Sequence, residues 1–424
     1  MAEPRRAAAE ALQRLWQTRG PGSTALLPAA WMFGAVAALR RRLFDRGDLV
    51  ASRLPVPVVV VGNLVVGGAG KTPAVIAVVA LLRRHGYTPG IVSRGYGRSN
   101  ESLVVAVAAG SDAAAVGDEP LLLRRRTGAP VVVARDRVAA AHAMLQSEPA
   151  VDVIVSDDGL QHLALERDAE VVVFDERGAG NGRLLPAGPL REALPTKAVP
   201  RRLVLYNAPS PTTPLPGFVG HRRLAGARAL DEWWKGEPPS LAVLDALRGR
   251  DVLAVCGLAR PQRFFAMLRE HGLAIRELAL EDHHTFATLP WPAASTDVIV
   301  TEKDAVKLPP SRRMNTRVWV AALDFEPEPA FESALLALLA PVLIAATETR
   351  PADMETRLLD LLVCPLCKGP LQHWRPPQHR SQELVCLADG LAFAVRDGIP
   401  VMLESEARPL GHEMAPSTLP VAPL

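Results

Sequence analysis

Short runs of aliphatic, mostly β-branched residues recur along most of the chain: Val58–Val61, Gly90–Val92, Leu103–Val107, Val131–Val133, Val151–Val155, Val171–Phe174, Leu203–Leu205, Val252–Val255, Val298–Val300 and Val318–Val320. They do not alternate with polar residues, so each is expected to be a strand buried on both faces. Helical stretches lie between them, including Pro73–His85 closed by Gly86 and Glu119–Arg126 closed by Gly128, both with the glycine stop signal of a helix C-terminus. The pattern predicts an α/β fold, a mostly parallel sheet with helices on both faces. Ligands of such sheets sit beyond the carboxyl ends of the strands.

Breaks in this pattern divide the chain. Residues 208–217 (APSPTTPLPG) read as a loop or hinge between two lobes, and Ala340–Asp353 as a second boundary. The expected domains are a basic helical segment (1–50), a core (51–207), a second, smaller α/β lobe (208–345), a small β-rich domain (354–407) and a disordered Pro-rich tail (408–424). The sequence has no internal repeat.

The net charge of +3 over 424 residues gives no argument for a nucleic-acid partner. Residues 1–50, however, hold eight arginines against four acidic residues. Within them, Leu26–Leu39 is apolar for fourteen residues before Arg40, Arg41 and Arg42, too short for the ~20 residues of a spanning helix. It suits a helix lying in a membrane interface, with Trp31 and Phe33 in the lipid and the arginines at anionic head groups; a buried core helix is the alternative. Met1 leads into a charged helix (Pro4–Gln17), not a secretory signal. Four cysteines, three of them from Cys364 onward, do not make a disulfide framework and favour a reducing compartment.

The first chemical signal follows the run Val58–Val61. Val65-Val66-Gly67-Gly68-Ala69-Gly70-Lys71-Thr72 has the form of a P-loop, except that Val65 replaces the usual first glycine. Glycines let backbone N–H groups converge on phosphate oxygens at a helix N-terminus. Lys71 would reach the β- and γ-phosphates and Thr72 would hold Mg²⁺. The strand Val151–Val155 runs into Ser156-Asp157-Asp158, an acidic pair suited to Mg²⁺ beside Thr72. Asp118, in Val116-Gly117-Asp118-Glu119-Pro120, could accept a hydroxyl proton; the local sequence favours a simple helix cap. His283, in Glu281-Asp282-His283-His284, could orient or relay for a carboxylate if the fold brings it to the P-loop side. The lysines of Thr301–Lys307 (TEKDAVK) could meet phosphate, and Arg94 and Arg191, in two Gly-rich loops, could grip an anionic head group.

Together GNLVVGGAGKTP, VSRGYGR, VGDEP, DDGLQH, NGRLLPAGPLRE, EDHH and TEKDAVK resemble, in order and spacing, the tetraacyldisaccharide 4'-kinase family of lipid A and lipopolysaccharide biosynthesis. The resemblance covers roughly residues 10–340 and includes the valine at position 65. It implies a P-loop NTPase-like core in which residues 65–72 bind ATP, Asp118 is the catalytic base and His283 its dyad partner. It also implies Glu119, Asp157 and Asp158 around Mg²⁺, and transfer of the γ-phosphate to the 4'-hydroxyl of a tetraacyldisaccharide 1-phosphate. The partners expected are the lipid A disaccharide precursor and the cytoplasmic face of the inner membrane, held peripherally through the basic N-terminal helix. A nucleotide-gated P-loop switch is the alternative class. Residues 354–407 are similar to small bacterial proteins related to zinc-ribbon methyltransferase activators, which suggests a protein partner. Cys364, Cys367 and Cys386 offer a partial Zn²⁺ site that Asp389 or water would have to complete. A metal-free β-domain is the preferred reading.

Overall fold

Apolar strands do line up into one sheet, and their parallel order sets which loops meet. The computed structural model describes residues 11–68, 70–197, 199–282, 284–309, 316–349, 362–374, 382–396 and 399–410. The chain divides into two units, residues 1–342 and 343–424.

Among the described residues the first unit is built on twelve strands. They are β1 (Val58–Gly62), β2 (Pro89–Ser93), β3 (Val105–Ala106), β4 (Val131–Val133), β5 (Val153–Asp157) and β6 (Ala169–Asp175). The rest are β7 (Arg202–Asn207), β8 (Phe218–Ala229), β9 (Val252–Cys256), β10 (Ile275–Ala279), β11 (Asp297–Thr301) and β12 (Arg317–Pro327). Their order is β10-β9-β11-β12-β8-β7-β6-β1-β5-β2-β4-β3. All neighbours are parallel except β3/β4 and the long β8/β12 pair, which carries a register shift between Ala322 and Leu323. Val61 of β1 sits opposite Asp157 of β5, and Asp175 of β6 opposite Asn207 of β7. Gly62, Ser93, Asp157, Asp175 and Asn207 therefore end their strands at one carboxyl edge; β11 lies beyond the antiparallel β8/β12 pair and runs the opposite way, and Thr301 at its end also lines the cleft.

The central strands β1, β5 and β6 are buried throughout, as unalternated apolar runs require. Val58, Val60, Ile154, Val172, Phe174 and Tyr206 belong to one core, and Phe264, Phe265, Leu268, Val252 and Ile299 to a second. Each such side chain contributes ~1.5–3 kcal/mol by leaving water. Sequence reading missed β8 and β10. β8 (FVGHRRLAGARA) carries three arginines and is only partly buried, and β10 is a half-exposed edge strand; neither has an apolar run. The expected strand Leu103–Val107 shrinks to Val105–Ala106, with Leu103 and Val104 exposed.

Two of the helices that matter to the site, those after Gly70 and Gly117, start at glycines. Helix α1 (Leu27–Asp45) belongs to the N-terminal segment, α2 (Lys71–Arg84) follows the P-loop, and α3 (Asp118–Thr127) follows Gly117. α2 buries Ala74, Val75, Val78, Val79 and Leu82, the 3.6-residue stripe expected of it. α3 ends at Gly128 in the left-handed conformation, as its stop signal predicts. The long loop 180–192 fastens the N-terminal segment: Asn181 donates to Ala187 and Thr18 oxygens, Trp16 Nε1 to Pro186 O, and Arg183 to Ser23 and Thr24 hydroxyls. α1 leaves Trp31, Met32, Val36 and Leu39 exposed, so it is not a buried core helix. Among the described residues no helix is long and apolar enough to cross a membrane.

The second unit contains β13 (Gln372–Trp374), β14 (Gln382–Cys386), β15 (Leu391–Arg396), β16 (Ile399–Pro400) and β17 (Arg408–Pro409), paired antiparallel. Leu384 and Phe393 form its core with Cys364 and Cys386. Arg408 and Pro409, assigned by sequence to the tail, pair with β15; residues 411–424 lie outside the described residues.

One buried ion network ties α3 to the second half of the sheet. Arg126 meets Glu302 at 2.8 Å and Asp324 at 2.6 Å, and Trp233 Nε1 donates to Glu302 at 3.1 Å. Burial raises the Glu302 pKa, with Arg126 opposing it. Arg126→Ala should cost about 3 kcal/mol in urea unfolding, because it strands a buried carboxylate. The raised folded pKa means the variant's deficit grows as pH rises above Glu302's unfolded value and shrinks as pH falls below it. An unfolding midpoint unchanged at pH 8 would show that Glu302 does not depend on Arg126.

Candidate active site

The P-loop is braced from three directions. The Asn63 amide donates to Gly67 O at 3.0 Å, and Arg177 donates to Gly68 O at 2.9 Å. Val66 N donates to Pro189 O at 2.9 Å and Arg191 N to Leu64 O at 2.7 Å, so the loop 180–192 lies alongside. Gly67 and Gly70 have φ of 96° and 84°, conformations that favour glycine. At Gly70 a Cβ would also collide with the Asn207 and Arg222 side chains. Val65 is buried and bridges to Leu190; at that position the chain packs against a neighbouring loop. Ala69 lies outside the described residues.

Lys71 forms a 2.9 Å ion pair with Asp158. Burial would raise the Asp158 pKa, but Lys71 and then Arg191 hold it below the ordinary carboxylate range. Asp157 behaves oppositely. Burial first, then nearby Glu119, push it up to about 7, against Lys71. Its Oδ2 accepts from Ser93 at 2.9 Å, while Oδ1 is sealed and without a hydrogen-bond partner. A buried carboxylate with one uncommitted oxygen, beside Glu119 and Thr72 in one cleft, fits a divalent cation.

The opposite wall comes from α3 and from α4 (Glu302–Ala305). Gly117, not Asp118, is the N-cap of α3. Asp118 is the first helical residue; one oxygen accepts from Glu119 N, and the other lies 3.3 Å from Lys307. Lys303 lies 3.1 Å from Glu119 and 3.3 Å from Asp282. Burial would lower the Lys303 pKa, but those carboxylates raise it. The TEKDAVK lysines thus meet carboxylates of the first lobe. They are aimed there because the Thr301 hydroxyl caps α4 against Asp304, a fully buried carboxylate that also accepts from Gly257 N. Asp282 lines the cleft; its neighbour His283 lies outside the described residues.

The cleft between these walls measures about 960 Å³ and includes Lys71, Thr72, Asp118, Glu119, Asp157 and Asp158. Arg94 and Arg191 line it, Arg191 3.4 Å from Asp158. Arg40, at the arginine end of α1, lines it too and donates to Gln161 O. Sequence reading missed Arg137, Asn207, Arg222 and Arg263, all of which also line it. Asn207 carried a usable signal, a polar residue closing an apolar strand; Arg222 sits within the missed strand β8.

In the second unit Asp389 Oδ2 lies 3.0 Å from Cys364 Sγ and 3.2 Å from Cys386 Sγ, and Cys367 Sγ lies 3.5 Å from Cys386 Sγ. All four ligand atoms fall within 4.8 Å of one another. The Cys364/Cys367 pair and the sequence-distant Cys386 thus close on one carboxylate.

Known proteins match this arrangement. Residues 22–340 match the family described as LpxK, tetraacyldisaccharide-1-P 4'-kinase, and residues 355–398 match the Trm112p-like proteins. A tetraacyldisaccharide 4'-kinase of Methylibium petroleiphilum is 59% identical over 345 residues, 80% of this chain and 96% of that protein. One from Verminephrobacter eiseniae is 42% identical and covers 97% of both chains, so the similarity extends through the second unit. The crystal structure of LpxK from Aquifex aeolicus in complex with ATP is 28% identical, with a TM-score of 0.63 over 76% of this chain and 99% of that one. The alternative of a nucleotide-gated P-loop switch is thereby set aside. A P-loop facing an acidic wall across one cleft, with this span of sequence identity, makes the chain a member of the tetraacyldisaccharide 4'-kinase family.

Proposed function

We propose that the carboxyl-edge cleft transfers the γ-phosphate of ATP to the 4'-hydroxyl of a tetraacyldisaccharide 1-phosphate, with Asp118 as base and Lys71 at the phosphates. The observation that carries the reading is the pairing of Lys71 with Asp158 beside Asp157, across the cleft from Asp118. The kinase activity itself follows from family membership. Residues 65–72 wrap the polyphosphate, and Lys71 exchanges Asp158 for phosphate oxygens as charge develops on the transferring group. Thr72, Asp157, Asp158 and Glu119 would hold Mg²⁺, which supplies charge neutralisation of the polyphosphate when bound.

The acceptor 4'-oxygen forms a bond to the γ-phosphorus as the bond to the β–γ bridging oxygen breaks, releasing ADP. The hydroxyl proton passes to the Asp118 carboxylate. Lys307, 3.3 Å away, keeps that carboxylate in place. His283 is assigned as its dyad partner, supported by the position of Asp282 in the same cleft.

The acceptor is a lipid, and α1 suits its delivery. Met32, Val36 and Leu39 fall at helical spacing on an exposed face, with Trp31 beside them, while Arg40 reaches the cleft. We assign this face to the cytoplasmic leaflet of the inner membrane, held peripherally. Arg41 is engaged by Glu192 at 2.6 Å and Arg40 by Gln161 O at 3.0 Å, which leaves Arg42 and Arg46 as the head-group cations. In the second unit the Cys₃Asp cluster fits Zn²⁺, since all four donors converge. It would hold a small domain together for a protein partner.

Asp118→Ala and His283→Ala should each lower kcat by about 10²–10⁴ with ATP affinity little changed. The double variant should be scarcely worse than either single one, as for groups acting together. Multiplicative losses in the same assay would mean independent roles.

Replacing Trp31, Met32 and Val36 together by Ser should weaken binding to anionic vesicles about a thousandfold or more, given ~1.5 kcal/mol or more per side chain kept in water. Arg42→Gln should weaken it further, and Arg41→Gln less. Unchanged co-sedimentation of the triple variant would remove α1 from the membrane contact.

Metal analysis of the purified full chain should return about one zinc per chain, as a four-donor site holds one ion. Asp389→Ala should lower that content and Cys364→Ser should abolish it. A parent protein free of zinc after growth in zinc-supplemented medium would establish a metal-free second unit.

A further inference from the structure

Most arginines around the P-loop are already committed. Arg177 pairs with Asp175 at 3.0 Å, Arg263 and Arg260 with Glu176 at 3.0 and 2.9 Å, and Arg191 with Asp158 at 3.4 Å. Arg222 differs. It projects from β8 into the cleft and packs against Gly70, the residue before Lys71. Its Nε is sealed from solvent with no hydrogen-bond partner, and among the described residues the side chain has no ion pair. Burial first, then the neighbouring Arg263 cation, push its pKa down to about 10. Holding a guanidinium in such a place is costly, and the cost is recovered when an anion is bound there.

We infer that Arg222 is a second phosphate-binding cation for the nucleotide, supplied to the P-loop by β8. The inference rests on the nucleotide-binding role proposed for residues 65–72. The ligand class is the phosphate chain of a nucleoside di- or triphosphate, because Arg222 touches the loop that wraps that chain. A guanidinium presents two parallel N–H donors to phosphate oxygens, which Lys71 cannot do. β8 is the strand that pairs β7 of the first lobe with β12 of the second. A phosphate held jointly by Lys71 and Arg222 therefore fastens the P-loop to the strand pair at the middle of the sheet.

The test is titration of the full chain with ATP, ADP and adenosine, comparing the parent with Arg222→Met and Arg222→Lys. Arg222→Met should bind ATP and ADP about ten- to a hundredfold more weakly, the worth of a charge-assisted contact. Adenosine affinity and KM for the disaccharide 1-phosphate should stay as in the parent, and Arg222→Lys should recover part of the loss. The thermal midpoint of nucleotide-free Arg222→Met should equal or exceed that of the parent, because an unpaired buried charge is removed; a merely structural arginine would lower it. Unchanged ATP and ADP affinities would overturn the inference. So would an equal loss for adenosine, which would place Arg222 at the base, or a change confined to the disaccharide, which would place it at the acceptor's 1-phosphate. Lys71→Ala serves as the control: if it too binds ATP like the parent, the nucleotide reading of the P-loop fails, independently of Arg222.

Discussion

Val61 sits opposite Asp157 across two parallel strands, and the site depends on that register. It places the end of β1, where the P-loop begins, beside the end of β5, where the acidic pair begins. Lys71 and Asp158 can then meet at 2.9 Å although 87 positions separate them in sequence. A slip of one residue would turn Asp157 to the other face of the sheet. Buried strands resist such a slip, because β1 and β5 are packed on both faces.

Around that pair the two carboxylates are held in opposite protonation regimes. Asp158 faces Lys71 and Arg191 and stays ionised, while Asp157 is buried beside Glu119 and is pushed up to about 7. A site that binds and releases cationic and anionic ligands gains from such a split, since one charge is fixed and the other is adjustable. The second lobe contributes the balancing cations. Lys303 of α4 and Lys307 of the turn after it reach Glu119 and Asp118, and the buried Asp304–Thr301 cap fixes the start of that helix.

The N-terminal segment is joined to this chemistry physically. The loop 180–192 holds Asn181 and Arg183 against residues 15–24 and, at its other end, runs beside the P-loop through Pro189 and Arg191. Apolar α1 and the phosphate loop thus share one support. The second unit has a separate logic, a small antiparallel sheet whose core includes two of the cysteines that converge on Asp389.

By itself the sequence determined the strands that are buried on both faces, since only an uninterrupted apolar run can be dry on two sides. It also determined the glycine-bounded helices α2 and α3, and the P-loop, whose chemistry is written in adjacent residues. What it left open was whatever depends on distant segments meeting. Asp118 read locally as a cap; the tertiary structure puts Gly117 at the cap and Asp118 at the cleft against Lys307. Strand β8 was invisible because its arginines and partial burial erase the apolar signal, and Arg222 was invisible with it. The TEKDAVK lysines had no assigned partner until the sheet order brought α4 to α3. Local propensity and periodicity are properties of neighbours in the chain, whereas charge pairing, burial and cleft geometry are properties of neighbours in space, and only the sheet order β12-β8-β7-β6-β1-β5 decides who those are.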